Sequence, residues 1–284
     1  MYNSLSIAVL VTCHNRREKT LDCLNHLFSP KNRNEFNFDV FLVDDGSSDG
    51  TSEAIEVKFP KVNVIKGNGE LYWNQGMRLA WKTASSTKKY DFYLWLNDDT
   101  IIDEDGISHL FECYYENMKI AKKDIIVIGT CRNDEGNVFS YGGRTENGAV
   151  IPNGEIQNCK YINGNFVLVS SKIVESIGVL SNDYTHAMGD YDYGIVALKN
   201  GFNLITTKKY VATCPTNLGI AAWCNPQVTF KKRWKNFNSP LGLNIEEYRV
   251  FVSKNWPNKS IQLIIKAYLK CILPRIYNIF KNRY

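Results

Sequence analysis

The sequence lacks both glycine-rich signatures that most often hold a nucleotide. It contains no GxxxxGK[ST], and no GxGxxG follows its first apolar run, so neither a P-loop NTPase nor a typical dinucleotide-binding enzyme is supported. No stretch reaches the roughly 18–20 apolar residues needed to cross a bilayer. The early apolar run is interrupted by Cys13, His14 and Asn15, too soon for a secretory signal. The eight cysteines include no CxxC pair, and they read as reduced core residues of a cytoplasmic protein. Acid is nearly missing from the end of the chain. Residues 193–284 carry 15 Lys+Arg against 2 Asp+Glu, whereas residues 1–192 carry 19 against 27. The two parts therefore do different jobs. No motif supports a nucleic-acid partner for the basic part.

What is present is enough for a sizeable core: 284 residues, 44% hydrophobic and 22% charged. Ser6–Thr12 is a continuous apolar run, as expected of a strand covered on both faces. Further strands are expected at Phe38–Val43, Val62–Lys66 and Phe92–Leu96. Helical patterns are expected over Arg16–Phe28, from Thr51, and over Asn74–Ala84. This alternation predicts an α/β fold, with a mostly parallel sheet flanked by helices. Beyond residue 120 the order changes. Strands are expected at Ile125–Thr130, Asn137–Tyr141, Phe166–Ser170, Leu204–Thr207 and Tyr210–Cys214, with helices near Lys172–Ile177 and from Gly189 to Asn200. The last sixty residues read as helical, broken at Trp256-Pro257. The division expected is 1–224 as the main unit, with halves 1–120 and 121–224, and 225–284 as a helical basic extension.

Ligands of open parallel sheets bind outside the carboxyl ends of the strands. The acidic clusters fall there: Asp44 and Asp45 after the second strand, Asp98 and Asp99 after the fourth. Carboxylates repel a diphosphate unless a cation lies between them, so this arrangement implies Mg²⁺ or Mn²⁺. A purely structural purpose also exists for some of these residues, since Asp-Gly-Ser turns cap helices. That purpose suits Asp49 well.

Thr12-Cys13-His14-Asn15-Arg16, Val43-Asp44-Asp45-Gly46-Ser47-Ser48-Asp49-Gly50-Thr51 and Leu96-Asn97-Asp98-Asp99-Thr100 resemble family 2 glycosyltransferases in order and spacing. Gly189-Asp190-Tyr191-Asp192 with Lys199-Asn200-Gly201-Phe202 extends the resemblance, which covers roughly residues 5–215. It implies the GT-A fold and, most often, inverting transfer from a nucleotide sugar, UDP- or dTDP-linked. The acceptors it implies are glycans, lipid-linked sugars or glycoproteins. On this resemblance Thr12, Asn15 and Arg16 border the nucleotide pocket, and Asp44 or Asp45, beside Gly46, accepts from base or ribose. Asn97-Asp98-Asp99 stands for the family's DxD, with Asn97 and Asp98 toward the donor and Asp99 on the metal. Gly67–Ala80 is the donor-side loop and helix, offering Asn68, Trp73, Asn74 and Arg78. Asn163 and Gly164 border the acceptor side, with His186 nearby. Asp190 is the expected base in a pair whose family Glu is here Gly189, and Asp192 is its alternative. A helix N-terminus also favours acids without any chemistry.

In the tail, Lys231-Lys232-Arg233-Trp234-Lys235 precedes Ile261–Phe280, where apolar residues recur at helical spacing among Lys266, Lys270, Arg275 and Lys281. Such helices suit a membrane surface, making peripheral association at the inner face of the membrane one expectation and a homo-oligomer another. Asn97 and Gly189 also allow a catalytically impaired domain acting as a binding or assembly module. A sugar-nucleotidyl transferase is disfavoured, because no glycine follows the first strand.

Overall fold

The structure is a computed structural model that describes residues 5–121, 123–136, 138–216 and 219–281. Four parallel strands form its first half: β1 (Ser6–Cys13), β2 (Asn37–Asp44), β3 (Asn63–Lys66) and β4 (Phe92–Leu96). Between them run α1 (Arg17–Leu27), α2 (Pro30–Glu35), α3 (Thr51–Lys58) and α4 (Tyr72–Thr87). Seven of the eight β1 residues are buried, because helices cover both faces of the sheet. On α4 the buried Met77, Ala80, Trp81 and Ala84 recur at helical spacing and press onto that sheet. Trp81 is fully buried against Tyr93, Trp95 and Tyr193. Replacing Trp81 with Ala is expected to destabilise the protein by roughly 3–5 kcal/mol, measurable by urea unfolding.

The second half adds β5 (Ile101–Ile102), α5 (Gly106–Ala121), β6 (Ile125–Arg132), β7 (Phe139–Tyr141), β8 (Gly143–Thr145), β9 (Gly148–Ala149), β10 (Gln157–Asn158), β11 (Tyr161–Ile162) and β12 (Phe166–Ser170). Then come α6 (Ser171–Ile177), α7 (Gly189–Lys199) and β13 (Asn203–Thr213). The main sheet runs β10-β13-β6-β12-β4-β1-β2-β3, with β5 on β13 and β7 on β6; β11-β8-β9 form a smaller sheet. The main sheet is parallel over its first four strands and mixed beyond them, because β12 lies antiparallel between β4 and β6. One sheet thus crosses the expected boundary at residue 120, and its core draws on both halves.

Two expected strands, Leu204–Thr207 and Tyr210–Cys214, are a single strand, β13, whose pairing with β6 is irregular between Thr206 and Tyr210. Asn137, expected to begin a hairpin strand, lies outside the described residues. All eight cysteines are free thiols. The basic extension folds as α8 (Phe230–Phe237), α9 (Ile245–Asn255), α10 (Ser260–Ile272) and α11 (Pro274–Lys281). The break at Trp256-Pro257 is a short 3₁₀ turn, Pro257–Lys259. Phe251 and Val252 of α9 pack with Tyr184, Tyr191 and Ile195, which ties the extension to α7 and the segment before it.

Candidate active site

β1, β2 and β4 end at one rim, since Cys13 pairs with Asp44 and Leu10 with Trp95 in register. A cavity of about 970 Å³ opens there. Thr12, Arg16, Asp45, Trp73, Asn97, Asp98 and Asp99 reach it from the parallel half. Asn163, Gly164, His186 and Asp190 reach it from the second half. Residues from six separate stretches of sequence therefore converge on one space.

Asp44 and Asp45 have separate tasks. The Asp44 carboxylate accepts from Ser47 N–H at 3.0 Å and from the Ser52 hydroxyl, closing the turn before α3. Asp45 lines the cavity and accepts from the backbone N–H groups of Gly69 and Tyr72, each at 2.8 Å. It thereby staples the 67–72 segment to the end of β2. Asn15 holds the same turn from the other side, receiving Ser48 N–H at 2.8 Å. His14 bridges to the carbonyl of Asp45 through Nδ1 at 2.6 Å.

Arg16 places one guanidinium nitrogen 2.7 Å from Asp99 and 3.2 Å from Asp98. Burial, with Asp99 alongside, pushes the Asp98 carboxyl up to about 7, although Arg16 acts in the opposite direction. The Asp98 Oδ2 atom is buried without a hydrogen-bond partner. Asp99 Oδ1 lies 3.6 Å from the Cys214 thiol. Among the described residues no group of three or more His, Cys, Asp and Glu could by itself hold a metal ion. A nucleotide-bound Mg²⁺ or Mn²⁺ asks for less, namely one or two carboxylates, with phosphate oxygens and water completing the shell. Two adjacent carboxylates sharing one half-exposed guanidinium fit that need.

Asn97 occupies the first position of the Asn-Asp-Asp run for a local reason. Its Oδ1 accepts from the indole N–H of Trp73 at 2.7 Å. Trp73 in turn packs against Gly164, where an added Cβ would sit 2.4 Å from the ring and 3.4 Å from the Asp190 Cβ. Gly164→Ala must therefore displace Trp73, and the expected result is a fall of roughly tenfold or more in turnover together with a lower unfolding midpoint, since overpacking costs about 1–3 kcal/mol. Steady-state kinetics beside thermal melts check this.

Asp190 stands at the N-terminus of α7, half-buried at the cavity wall. Its two oxygens accept from Gly164 N–H at 3.0 Å and Tyr191 N–H at 2.8 Å. Burial raises its carboxyl to about 6, and those two N–H groups restrain the rise. Beside it, Gly189 leaves room for Asn74, whose Oδ1 would lie 1.8 Å from any Cβ there. Asn74 is fully buried and donates to the carbonyls of Ser181 and Tyr184, fixing the segment that leads into α7. His186 accepts Trp73 N–H at 3.4 Å through Nδ1. Burial and the nearby Arg16 lower its pKa, so it is a neutral imidazole.

Several expected site residues lie outside the lining. Asn15, Asp44 and Asn74 serve the backbone around the cavity as just described. Gly46 and Asn68 lie in the turns beside it. Arg78 donates to the Leu180 carbonyl at 3.0 Å, so the guanidinium that reaches the cavity is Arg16 instead. Asp192 is buried and held by Lys254 at 2.6 Å and Asn255 at 2.9 Å, because α7 turns it toward the extension. Conversely, His14, Tyr72 and Cys214 line the cavity without having been anticipated. So do Leu241, Tyr248 and Phe251 of the extension, for which the sequence held no signal. Among the described non-glycine residues, positive φ occurs at Asn15, Tyr72, Met188 and Asn244. Tyr72 and Met188 line the cavity and Asn15 lies between two residues that do, the clustering of backbone strain that marks functional sites.

A poly-beta-1,6-N-acetyl-D-glucosamine synthase of Staphylococcus epidermidis is 27% identical over 122 residues, covering 40% of this chain and 27% of that protein. The chain spans about a quarter of the length of the curated relatives it matches. Among solved structures, S. aureus TarS 1–349 in complex with UDP-GlcNAc aligns with a TM-score of 0.53 at 14% identity, over 93% of this chain and 73% of that one. The mannosyltransferase PcManGT of Pyrobaculum calidifontis, in complex with GDP-Man and Mn²⁺, aligns with a TM-score of 0.56 at 14% identity, over 95% and 70%. These likenesses show the fold, which is the GT-A arrangement implied by the motifs. Residues 8–174, more than half of the chain, match the family described as glycosyl transferase family 2, and the protein belongs to that family.

Proposed function

We propose that the chain transfers a sugar from a nucleoside-diphosphate donor, UDP- or dTDP-linked, to a hydroxyl of a glycan, lipid-linked sugar or glycoprotein. The observation that carries this reading is the convergence of Asp45, Asp99 and Asp190 on one cavity. Residues 1–224 form the catalytic unit, and residues 225–284 are an extension that contributes to the cavity wall. Relatives of the fold bind UDP-GlcNAc in one case and GDP-Man with Mn²⁺ in another, which supports a nucleotide sugar here.

In this mechanism Thr12, His14 and Asp45 border the nucleoside, Asp45 being an acceptor-only group matched to a donor N–H or O–H. Asp99, with Asp98 adjacent, would hold Mn²⁺ or Mg²⁺, which when bound would supply positive charge for the leaving diphosphate. Arg16, released from the carboxylate pair, remains beside the phosphates as a second cation. Neutral His186 has Nε2–H to offer to a phosphate or acceptor oxygen. Asp190 takes the proton of the acceptor hydroxyl as its oxygen bonds to the anomeric carbon. The bond from that carbon to phosphate breaks at the same time, and its electron pair leaves with the nucleoside diphosphate. Attack opposite the leaving group inverts the anomeric centre. Two backbone N–H groups fix the Asp190 carboxylate at the cavity wall, which limits the reorganisation it needs to act.

A panel of nucleotide sugars with Mn²⁺, read by thermal shift and then by nucleotide release, tests the reading. Stabilisation and release with at least one UDP- or dTDP-sugar is expected. Binding without any release or transfer would favour the impaired-domain alternative. However, Asn97 and Gly189, which suggested that alternative, have the local packing reasons given above.

A further inference from the structure

The extension leaves one face of α10 uncovered. Ile261, Ile265, Leu269 and Ile272 follow at spacings of four, four and three, so they form one stripe along the helix. They are between 43% and 74% exposed. The opposite face is occupied: Ala267 and Cys271 are buried with Phe237 and Ile245. The stripe continues sideways onto α8 through Tyr268, whose ring lies 6.3 Å from that of Trp234. Trp234 and its neighbour Phe230 are themselves 41% and 51% exposed. Such a contiguous apolar face marks a contact surface.

Charge identifies what would cover it. From Tyr248 to Tyr284 the sequence has no Asp or Glu, and α8 has none either. Lys259 and Lys266 are exposed along one edge of the stripe, and Lys231, Lys232 and Lys235 are exposed on α8. Near the end of α10 a cavity of about 400 Å³ is lined by Pro226, Leu273, Arg275 and Ile276. Among the described residues no helix is long and apolar enough to cross a membrane. An apolar stripe with aromatic residues beside it, edged by lysines and free of acid, is built to lie in the headgroup region of an anionic bilayer. A second copy of this chain would bring the same lysines against each other.

We infer that α8 and α10 dock the protein on an anionic membrane surface through the Ile261–Ile272 stripe and its lysine edge. The inference is independent of the transfer reaction. Leu241, Tyr248 and Phe251, from the same extension, wall the cavity.

The test is co-sedimentation of the full chain with vesicles of phosphatidylglycerol and phosphatidylcholine, against vesicles of phosphatidylcholine alone. Binding to the anionic vesicles is expected, with weakening as salt is raised. Lys259→Glu with Lys266→Glu should reduce partitioning roughly tenfold or more, and Ile265→Asp with Leu269→Asp should abolish it. Both double variants alter exposed residues outside the cavity, so an unchanged melting midpoint and unchanged nucleotide binding are expected. Equal partitioning onto both vesicle types, or no binding by the wild type, would overturn the inference. A stable dimer in light scattering that Ile265→Asp with Leu269→Asp splits would overturn it too, by showing that a second copy covers the face.

Discussion

Replacing Asp190 with Asn is expected to lower the transfer rate by roughly 10²–10⁴-fold, the usual worth of a general base, while leaving nucleotide-sugar affinity nearly unchanged. Asn is isosteric, and its carbonyl oxygen can keep one of the two backbone N–H bonds now received by the carboxylate. What it cannot do is accept a proton. The same assignment predicts a pH dependence. Burial raises the Asp190 carboxyl from 3.8 to about 6, so the base becomes active as pH rises through about 6. Stability runs the other way. The raised folded-state value means that the folded protein binds this proton more tightly than the unfolded chain does. The contribution is complete below the unfolded value and is lost as pH rises through about 6. Wild-type kcat should therefore show an acidic limb near that pH, absent from the residual activity of the Asn variant. Unchanged turnover in Asp190→Asn would refute the assignment.

Asp99→Asn is expected to remove cation-dependent donor binding, with kcat/KM falling roughly 10²-fold or more as charge on the leaving diphosphate goes uncompensated. Arg16 gives this prediction a second reading. Its guanidinium already contacts both Asp98 and Asp99 in the structure, so a cation must compete with it. Titration with Mn²⁺ followed by electron paramagnetic resonance reports binding without any turnover. Asp99→Asn should weaken Mn²⁺ uptake in the presence of UDP. An Asp99→Asn protein that takes up Mn²⁺ as the wild type does would place the ion elsewhere.

The parallel half was legible because both-face burial writes itself as unbroken apolar runs, as in β1 and β4. The motifs were legible because their carboxylates end those runs. Other features depended on distant contacts. Nothing local distinguishes Asp190 from Asp192, yet two positions along α7 turn one toward the cavity and the other toward Lys254. Asp44 and Asp45 are likewise adjacent in sequence, yet one closes the turn before α3 and the other holds the 67–72 segment. Arg78 had the right charge, but the fold gave its donor to Leu180. The sixteen-residue α5 was not anticipated, although Ile107, Leu110, Phe111 and Tyr114 are buried at helical spacing. The irregular run within β13 read as two strands because Lys208 and Lys209 interrupt the apolar pattern. Leu241 and Phe251 join the site only through packing of the extension, which no periodicity foretells.

The decisive measurement is diffraction at the manganese absorption edge from crystals grown with UDP and Mn²⁺. One anomalous peak is expected in the cavity, about 2.0–2.2 Å from an Asp99 carboxylate oxygen and from diphosphate oxygens. UDP bound in this cleft with no such peak, or a peak at another surface, would contradict the proposed chemistry.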